Sequence, residues 1–226
     1  MSPSGAPGPS RGVDRPDGGG RPDGVAGAGY GRYVALLGVL LVVAFTLHTA
    51  LTSHKGATGL RQGDRIPPFA APLAIGGPAG EVDVATRPNE GQAGKRPACS
   101  VRGQGILNVC QLYEHRPLVL ALFFDAGSCA KILDDLQRLS PLYPQVAFAA
   151  VAVKEDASSV ARIVRSKRLT IPVGVDADGR LGGLYTMVSC PQITFVLPGG
   201  VVQSAPLLTI PPFAALRARV EELPAA

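Results

Sequence analysis

The sequence predicts an α/β domain in which a mixed sheet is covered by helices on both faces. Two apolar runs of strand length, 117–124 and 146–153, lack the polar alternation of a half-exposed strand. Such continuous runs are typical of strands buried on both sides. Segments with helical periodicity alternate with these and shorter strands. The resulting order of strand, helix, strand, helix, strand, hairpin and helix favours a layer of helices on each face of one sheet.

Apolar spacing predicts three helices in the second half of the chain, over 130–143, 157–168 and 211–223. In the first two, apolar residues recur every three or four positions and so fall on one side of a helix. These residues are Ile132, Leu133, Leu136, Leu139, Val160, Ile163 and Val164. The third helix starts with proline, which is well tolerated at a helix start because its amide would have no helical partner there.

Short strands complete the predicted sheet. Residues 172–175 form a strand before an Asp- and Gly-containing turn at 176–179. Residues 192–197 and 201–202 flank a Pro-Gly-Gly turn and are predicted to pair as a hairpin. The Gly- and Pro-rich stretch 75–97 is predicted to be a loop or a weak hairpin.

The N-terminal part of the chain differs in composition from the rest. Residues 1–32 are rich in Gly, Pro and Ser and are predicted to be a disordered tail. Residues 33–52 form one apolar run, which as a helix would measure roughly 28 Å, close to the thickness of the membrane hydrocarbon. This run is predicted to be a single transmembrane signal anchor. A polar linker over 53–62 then leads to a folded domain over 63–226.

A cleaved signal peptide is the alternative reading of the apolar run. The run is long for such a peptide, and no Ala-x-Ala cleavage site follows it. Basic residues flank both ends, so the positive-inside rule does not decide the orientation. All four cysteines follow the run, and an even number of cysteines favours an oxidising compartment. We therefore expect a single-pass protein of the cell membrane with its C-terminal domain outside the cytoplasm.

Composition argues against two classes of function. The net charge is +5, but the basic residues are scattered and only 5% of residues are aromatic, so nucleic-acid binding is not expected. The four cysteines lack the close spacing of a zinc site, and His115 is the only histidine after the linker. Neither a metal nor another cofactor is expected.

Four segments resemble the thioredoxin-like superfamily, and in particular its membrane-anchored TlpA/ResA-type, or redoxin, group. They are a lead-in at 63–69, a strand and turn entering a helix at 117–129, a mid-domain stretch at 171–185, and Ser189-Cys-Pro-Gln-Ile-Thr-Phe195. Their order over residues 63–223 carries the resemblance more than any one motif. It implies a thioredoxin-like fold and a thiol–disulfide oxidoreductase acting on protein thiols or disulfides.

The redox motif itself is degenerate. Cys129-Ala-Lys-Ile132 places isoleucine where the family has its second cysteine. The resemblance implies that Pro191 is the cis-proline and that the residue before it, Cys190, lies against Cys129. Their Cα atoms should then lie roughly 4.4 to 6.8 Å apart, as a disulfide requires.

Cys129 is expected to attack the substrate and Cys190 to resolve the mixed disulfide. Cys129 lies at a predicted helix start, where unpaired amides and the helix dipole stabilise a thiolate, and Lys131 adds positive charge. The catalytic candidates are thus Cys129 and Cys190, with Lys131 and Pro191 in supporting roles.

Two other functions compete with this hypothesis. Cys129 and Cys190 could form a permanent disulfide in a non-catalytic thioredoxin-like binding module. A peroxiredoxin-like peroxidase is the second alternative, because Phe123-Phe124 followed by a cysteine at a helix start is similar to that family. However, the stretch before Cys129 is Asp-Ala-Gly-Ser rather than one with Pro and Thr, and Cys190 occupies a position where an arginine would be expected.

A copper chaperone is not expected. That function would need a second cysteine on the turn and a histidine late in the chain, and the sequence has neither.

Cys99 and Cys110 are predicted to form a structural disulfide. They flank a loop whose closure could contribute on the order of 3 kcal/mol, and nothing in the neighbouring sequence suggests an activated thiol.

Overall fold

The structure is a computed structural model that describes residues 30–52, 59–78, 97–125 and 128–224. The chain divides into two units, residues 1–54 and residues 55–226. Most of the predicted tail, most of the predicted linker and most of the predicted loop at 75–97 lie outside the described residues.

The N-terminal unit contains one helix, α1 (Tyr30–Thr52), of 23 residues. Its side chains between Tyr33 and Leu47 are exposed, including the large apolar ones. Within the part of the chain that the structure describes, no helix is both long enough and apolar enough to cross a membrane. The transmembrane anchor over 33–52 is therefore not shown by the structure and stays a prediction.

The C-terminal unit is built on a five-stranded sheet, in the order β5-β4-β3-β6-β7. Its strands are β3 (Leu118–Phe123), β4 (Ala147–Val153), β5 (Val173–Asp176), β6 (Gln192–Leu197) and β7 (Val201–Val202). The first three are parallel to one another, whereas β6 is antiparallel to both β3 and β7. The prediction of a mixed sheet is confirmed.

Alternate residues of the central strand divide the core into two layers. Val119, Ala121 and Phe123 of β3 pack with α3 (Ile132–Leu139), α4 (Ala157–Ser166) and α6 (Phe213–Glu221). The intervening leucines of β3 pack on the other face with α2 (Val109–Tyr113) and α5 (Arg180–Leu184), and with the two-stranded sheet β1 (Ala70–Pro72) and β2 (Ile106–Asn108). Helices thus lie on both faces, as predicted. Because β3 and β4 are covered on both sides, every one of their residues is buried.

The ends of the helices differ from the predictions for local reasons. The predicted helix 130–143 consists of a 3₁₀ turn, Cys129–Lys131, then α3, then a second 3₁₀ turn that begins at Ser140 and contains a proline. The last predicted helix begins at Phe213 because the backbone of Pro212 is extended rather than helical, with φ −53° and ψ 142°. Helix α4 begins where predicted, and the Asp156 carboxylate accepts a hydrogen bond from the Ser159 amide at 2.9 Å.

Among the described strands and α-helices, four were not predicted, namely β1, β2, α2 and α5. Helix α5 follows the predicted turn at 176–179, and the buried carboxylate of Asp176 holds its first turn. That carboxylate accepts hydrogen bonds from the Arg180 amide at 3.0 Å and from the Leu181 amide at 2.9 Å. Asp176 is therefore both the end of β5 and the acceptor that starts the next helix.

Asn108 organises the segment around the Cys99–Cys110 disulfide and is only 2% exposed. Its Nδ2 donates to the carbonyls of Ala98 (2.9 Å) and Val101 (2.8 Å). Its Oδ1 accepts from the amides of Cys110 (2.9 Å) and Gln111 (3.3 Å). Both halves of the amide are thus used, and only asparagine provides two donors and an acceptor in this geometry.

We predict that Asn108→Asp lowers the free energy of unfolding by about 2–4 kcal/mol at pH 7. The carboxylate would face two carbonyl oxygens that lose their donors, and its charge would be buried. Urea unfolding measures the loss, which should shrink as the pH falls toward about 4, because burial raises the pKa of the new carboxyl and the protonated group can donate again. Gln111→Glu is the control, since it makes the same amide-to-acid change at an exposed neighbouring position. Equal effects of the two substitutions would contradict this role of Asn108.

Candidate active site

Strand register brings Phe124 and Cys190 together at one edge of the sheet. Leu122 of β3 lies opposite Gln192 of the antiparallel strand β6. Continuing this register by two residues places Phe124, just after β3, beside Cys190, just before β6. The Phe124 amide donates a hydrogen bond to Cys190 Sγ at 3.3 Å. This pairing joins two residues that lie 66 positions apart in the sequence.

At this edge, Cys129 and Cys190 form a disulfide with a Cα–Cα distance of 5.7 Å. Cys129 is the first residue of the 3₁₀ turn that leads into α3, and it is only 4% exposed. It packs in the same core layer as the apolar side of α3. Cys190, by contrast, is half-buried. The structure thus brings together the two cysteines that the sequence analysis selected.

The two supporting candidates have different environments. Pro191 is buried, and the peptide bond between Cys190 and Pro191 is cis. Lys131 lies at the end of the 3₁₀ turn with its side chain exposed. Within the described residues no hydrogen bond or ion pair reaches its ammonium group, so its electrostatic role stays a prediction.

The backbone on both sides of the disulfide is held by hydrogen bonds. Ser189 Oγ donates to the Leu208 carbonyl at 2.6 Å, and the backbones of Ile193 and Leu207 exchange two hydrogen bonds of 2.8 and 2.9 Å. On the β3 side, the Asp125 amide donates to Glu155 Oε1 at 2.8 Å. These contacts position Cys190 and the start of the turn that carries Cys129.

A groove of about 730 Å³ lies next to the disulfide. It adjoins the site through Phe124 and Ser189, the residues that contact or precede Cys190. Its other lining residues come from the end of β4, from α5 and from the segment before Cys190: Val153, Lys154, Glu155, Gly179, Gly182, Gly183, Met187 and Val188. Phe124 and Val188 are large apolar side chains that remain 37% and 43% exposed. The disulfide therefore borders a largely apolar surface.

Phe124, Glu155 and the glycines of α5 were not predicted to be parts of this site. A signal for Glu155 exists, because it follows β4, and β4 is the parallel neighbour of β3. The carboxyl ends of parallel neighbours meet at one edge of a sheet. The two glycines carry no comparable signal, since the helix that presents them was not predicted.

The second disulfide, Cys99–Cys110, has a Cα–Cα distance of 5.4 Å. Cys110 packs in the layer of β1, β2 and α5, on the opposite face of the sheet from Cys129. The described residues contain no free cysteine. The two disulfides are therefore separated by the central sheet and do not share a site.

Comparisons with known proteins identify the fold. No protein-family model matches the chain, and no curated protein matches its sequence. Among solved structures, the chain is similar to a candidate thiol:disulfide interchange protein DsbE from Chlorobium tepidum, with a TM-score of 0.53 and 15% identity over 72% of this chain and 94% of that one. It is also similar to the thioredoxin domain of a thiol-disulfide oxidoreductase from Bacteroides vulgatus, with a TM-score of 0.52 and 14% identity over 72% and 97% of the two chains.

A third similar structure has a different named chemistry. The peroxidoxin BcpB from Mycobacterium tuberculosis matches with a TM-score of 0.50 and 12% identity, over 71% of this chain and 93% of that one. At sequence identities this low, the similarity shows a shared fold and not a shared function. The C-terminal unit of this protein has a thioredoxin-like α/β fold, with the Cys129–Cys190 disulfide at the edge of its central sheet.

Proposed function

We propose that this protein is a thiol–disulfide oxidoreductase that acts on protein thiols and disulfides through the Cys129–Cys190 pair. The observation that carries the proposal is a disulfide between a cysteine at the start of a helix segment and a half-buried cysteine whose neighbours Phe124 and Ser189 line an open, largely apolar groove. A purely structural bond needs no such opening. The named activities of similar folds, thiol:disulfide interchange and thiol–disulfide oxidoreduction, are consistent with it.

The proposed exchange transfers two electrons. A substrate thiolate attacks one sulfur of the Cys129–Cys190 bond, forms a mixed disulfide and expels the other sulfur as a thiolate. A second substrate thiolate then attacks the substrate sulfur of the mixed disulfide. The substrate leaves as a disulfide, and the protein keeps two reduced cysteines and the two protons that the substrate thiols released. The reverse sequence reduces a substrate disulfide.

Equilibration in glutathione redox buffers tests the proposal. We expect the Cys129–Cys190 bond to open and close reversibly while the protein stays folded, with Cys99–Cys110 intact at the same buffer potential. Alkylation of free thiols followed by peptide mapping identifies which bond has opened, and circular dichroism reports the fold. If the Cys129–Cys190 bond opens only when the protein unfolds, the oxidoreductase proposal is wrong and the binding-module alternative is favoured.

We also propose that residues 33–52 tether the protein to the cell membrane and place the C-terminal domain outside the cytoplasm. The support is the apolar sequence of this segment and the two disulfides of the domain, which suit an oxidising compartment. Alkaline extraction of membranes combined with protease protection tests both parts. Release of a shortened chain into the soluble fraction would instead support a cleaved signal peptide.

The groove beside the disulfide is proposed to bind the polypeptide that carries the reacting cysteines. Gly183 lies on its wall in α5, and a Cβ at this position would meet no atom within 4 Å. A large side chain can therefore enter the groove from Gly183 without a steric clash at its base. Gly103 offers a matched control, because a Cβ there also meets no atom within 4 Å and the residue does not line the groove.

We predict that Gly183→Phe lowers kcat/KM for a disulfide-bonded polypeptide about tenfold, which corresponds to about 1.4 kcal/mol of lost binding in the transition state. Turnover of glutathione disulfide should change much less, because a small substrate does not need the groove. Gly103→Phe should leave both rates unchanged. Equal losses with the large and the small substrate would contradict a polypeptide-binding role for the groove.

A further inference from the structure

We infer that Cys190, rather than Cys129, is the sulfur that bonds to the substrate, an inference that rests on the proposed oxidoreductase function. The position of Cys129 at a helix start, taken alone, predicts that Cys129 attacks the substrate. The structure adds the burial and the contacts of each cysteine, and these favour the opposite order.

The two cysteines differ in how easily a substrate thiolate can reach them. Thiol–disulfide exchange requires the attacking thiolate to reach one sulfur directly, so the rate at each sulfur depends on its access. Cys129 is 4% exposed and packs within the core layer that contains α3. Cys190 is half-buried, and the residues beside it, Phe124 and Ser189, form the near wall of the groove. A polypeptide in the groove therefore contacts the residue before Cys190 and the residue whose amide bonds to its sulfur.

A hydrogen bond also favours Cys190 as the sulfur exchanged with substrate. The Phe124 amide already donates to Cys190 Sγ at 3.3 Å in the oxidised protein. When the second substrate thiolate attacks the substrate sulfur of the mixed disulfide, Cys190 leaves as a thiolate. A hydrogen bond to an ionised sulfur is stronger than one to a neutral sulfur. The strand register thus places the Phe124 amide where negative charge develops on Cys190 Sγ.

The position of Cys129 suits the complementary role of leaving group and resolving thiolate. When a substrate thiolate attacks Cys190 Sγ, the bond between Cys190 and Cys129 breaks and Cys129 takes the electron pair. Cys129 begins the 3₁₀ turn that continues into α3, where backbone amides have no earlier helical acceptor and favour a negative charge. A better-stabilised thiolate leaves faster. In the reverse direction, the Cys190 thiolate attacks the substrate disulfide, and Cys129 then attacks Cys190 Sγ and releases the substrate thiolate.

The direct test is to trap the mixed disulfide on the full wild-type chain. The oxidised protein is mixed with reduced glutathione, quenched with acid, alkylated and mapped by mass spectrometry. We expect glutathione on Cys190 and the alkyl group on Cys129, in at least tenfold excess over the reverse pattern. Glutathione mainly on Cys129 overturns the inference and leaves the proposed function standing. Failure of glutathione to reduce the Cys129–Cys190 bond at any concentration overturns the proposed function and the inference with it.

A matched pair of variants gives an independent rate measurement. Cys129→Ala and Cys190→Ala remove the same disulfide and therefore lose the same loop closure, but each keeps a different thiol. With glutathione disulfide as the probe at pH 7, the Cys129→Ala protein should form its mixed disulfide at least tenfold faster than the Cys190→Ala protein. Equal rates, or a faster Cys190→Ala protein, would overturn the inference.

Discussion

Tyr185→Ala should lower the free energy of unfolding by about 3–5 kcal/mol, as expected when a large buried ring is removed from a packed core. Tyr185 is fully buried, and its ring packs edge-on against Phe69 at a centroid distance of 5.8 Å. Its hydroxyl donates to the Pro67 carbonyl at 2.8 Å. The side chain thus joins the end of α5 to the extended segment that opens the domain. Urea unfolding measures the loss.

Tyr185→Phe separates the ring from the hydroxyl. It keeps the apolar contacts and leaves the Pro67 carbonyl without its donor, so we expect a loss of about 0.5–1.5 kcal/mol. Tyr143→Phe is the control, because the Tyr143 hydroxyl bonds to Glu221 at the protein surface and its removal should change stability by less than about 0.5 kcal/mol. If Tyr185→Ala were no worse than Tyr185→Phe, the packing argument would be wrong.

Because of Tyr185, the protein should also lose stability at high pH. Burial raises the pKa of Tyr185 well above its usual value near 10. A group whose pKa is higher in the folded state stabilises the protein below the unfolded-state pKa, and that contribution is lost as the pH rises. The free energy of unfolding should therefore fall above about pH 10, and less steeply in Tyr185→Phe. Equal slopes for the two proteins would show that another group controls the response.

The central strands could be predicted because their burial on both faces requires apolar residues at every position. Strands β3 and β4 are covered on both faces, so each is a continuous apolar run. Helix α5 could not be predicted in this way, since Gly182 and Gly183 disfavour a helix. Its formation depends on Asp176 and on the burial of Tyr185, which are tertiary contacts. The β1–β2 sheet was missed for a related reason, because its three-residue strands lie far apart in sequence.

Some features of the candidate site could likewise be predicted from the sequence, and others depend on tertiary contacts. The resemblance to thioredoxin-like proteins led to Cys129 and Cys190, and the structure places them in one disulfide. The contact of Phe124 with Cys190 depends on the register of β3 against β6, and β3 is apolar at every position, so its pattern does not fix that register. The burial of Cys129 is also a tertiary property. The resemblance therefore identified the two bonded cysteines, and only the structure shows that they differ in burial.

Loss of the Cys129–Cys190 bond should cost more stability than loss of the Cys99–Cys110 bond. The first closes a loop with a sequence separation of 61, the second a loop with a separation of 11. Loop-closure entropy then gives contributions of about 4.3 and about 2.8 kcal/mol. Urea unfolding of the double variants Cys129→Ala/Cys190→Ala and Cys99→Ala/Cys110→Ala measures both, and each variant is the control for the other. A larger loss in the second variant would contradict the prediction.

The stability of the Cys129–Cys190 bond also constrains the proposed redox chemistry. Whatever free energy the disulfide adds to folding, folding must add to disulfide formation, because the two steps belong to one thermodynamic cycle. About 4.3 kcal/mol corresponds to a reduction potential about 90 mV more negative in the folded protein than in the urea-unfolded chain. Redox titration of the pair in both states measures this difference. A potential that is the same in the folded protein and in the unfolded chain would show that folding does not stabilise the bond, and would contradict the loop-closure prediction.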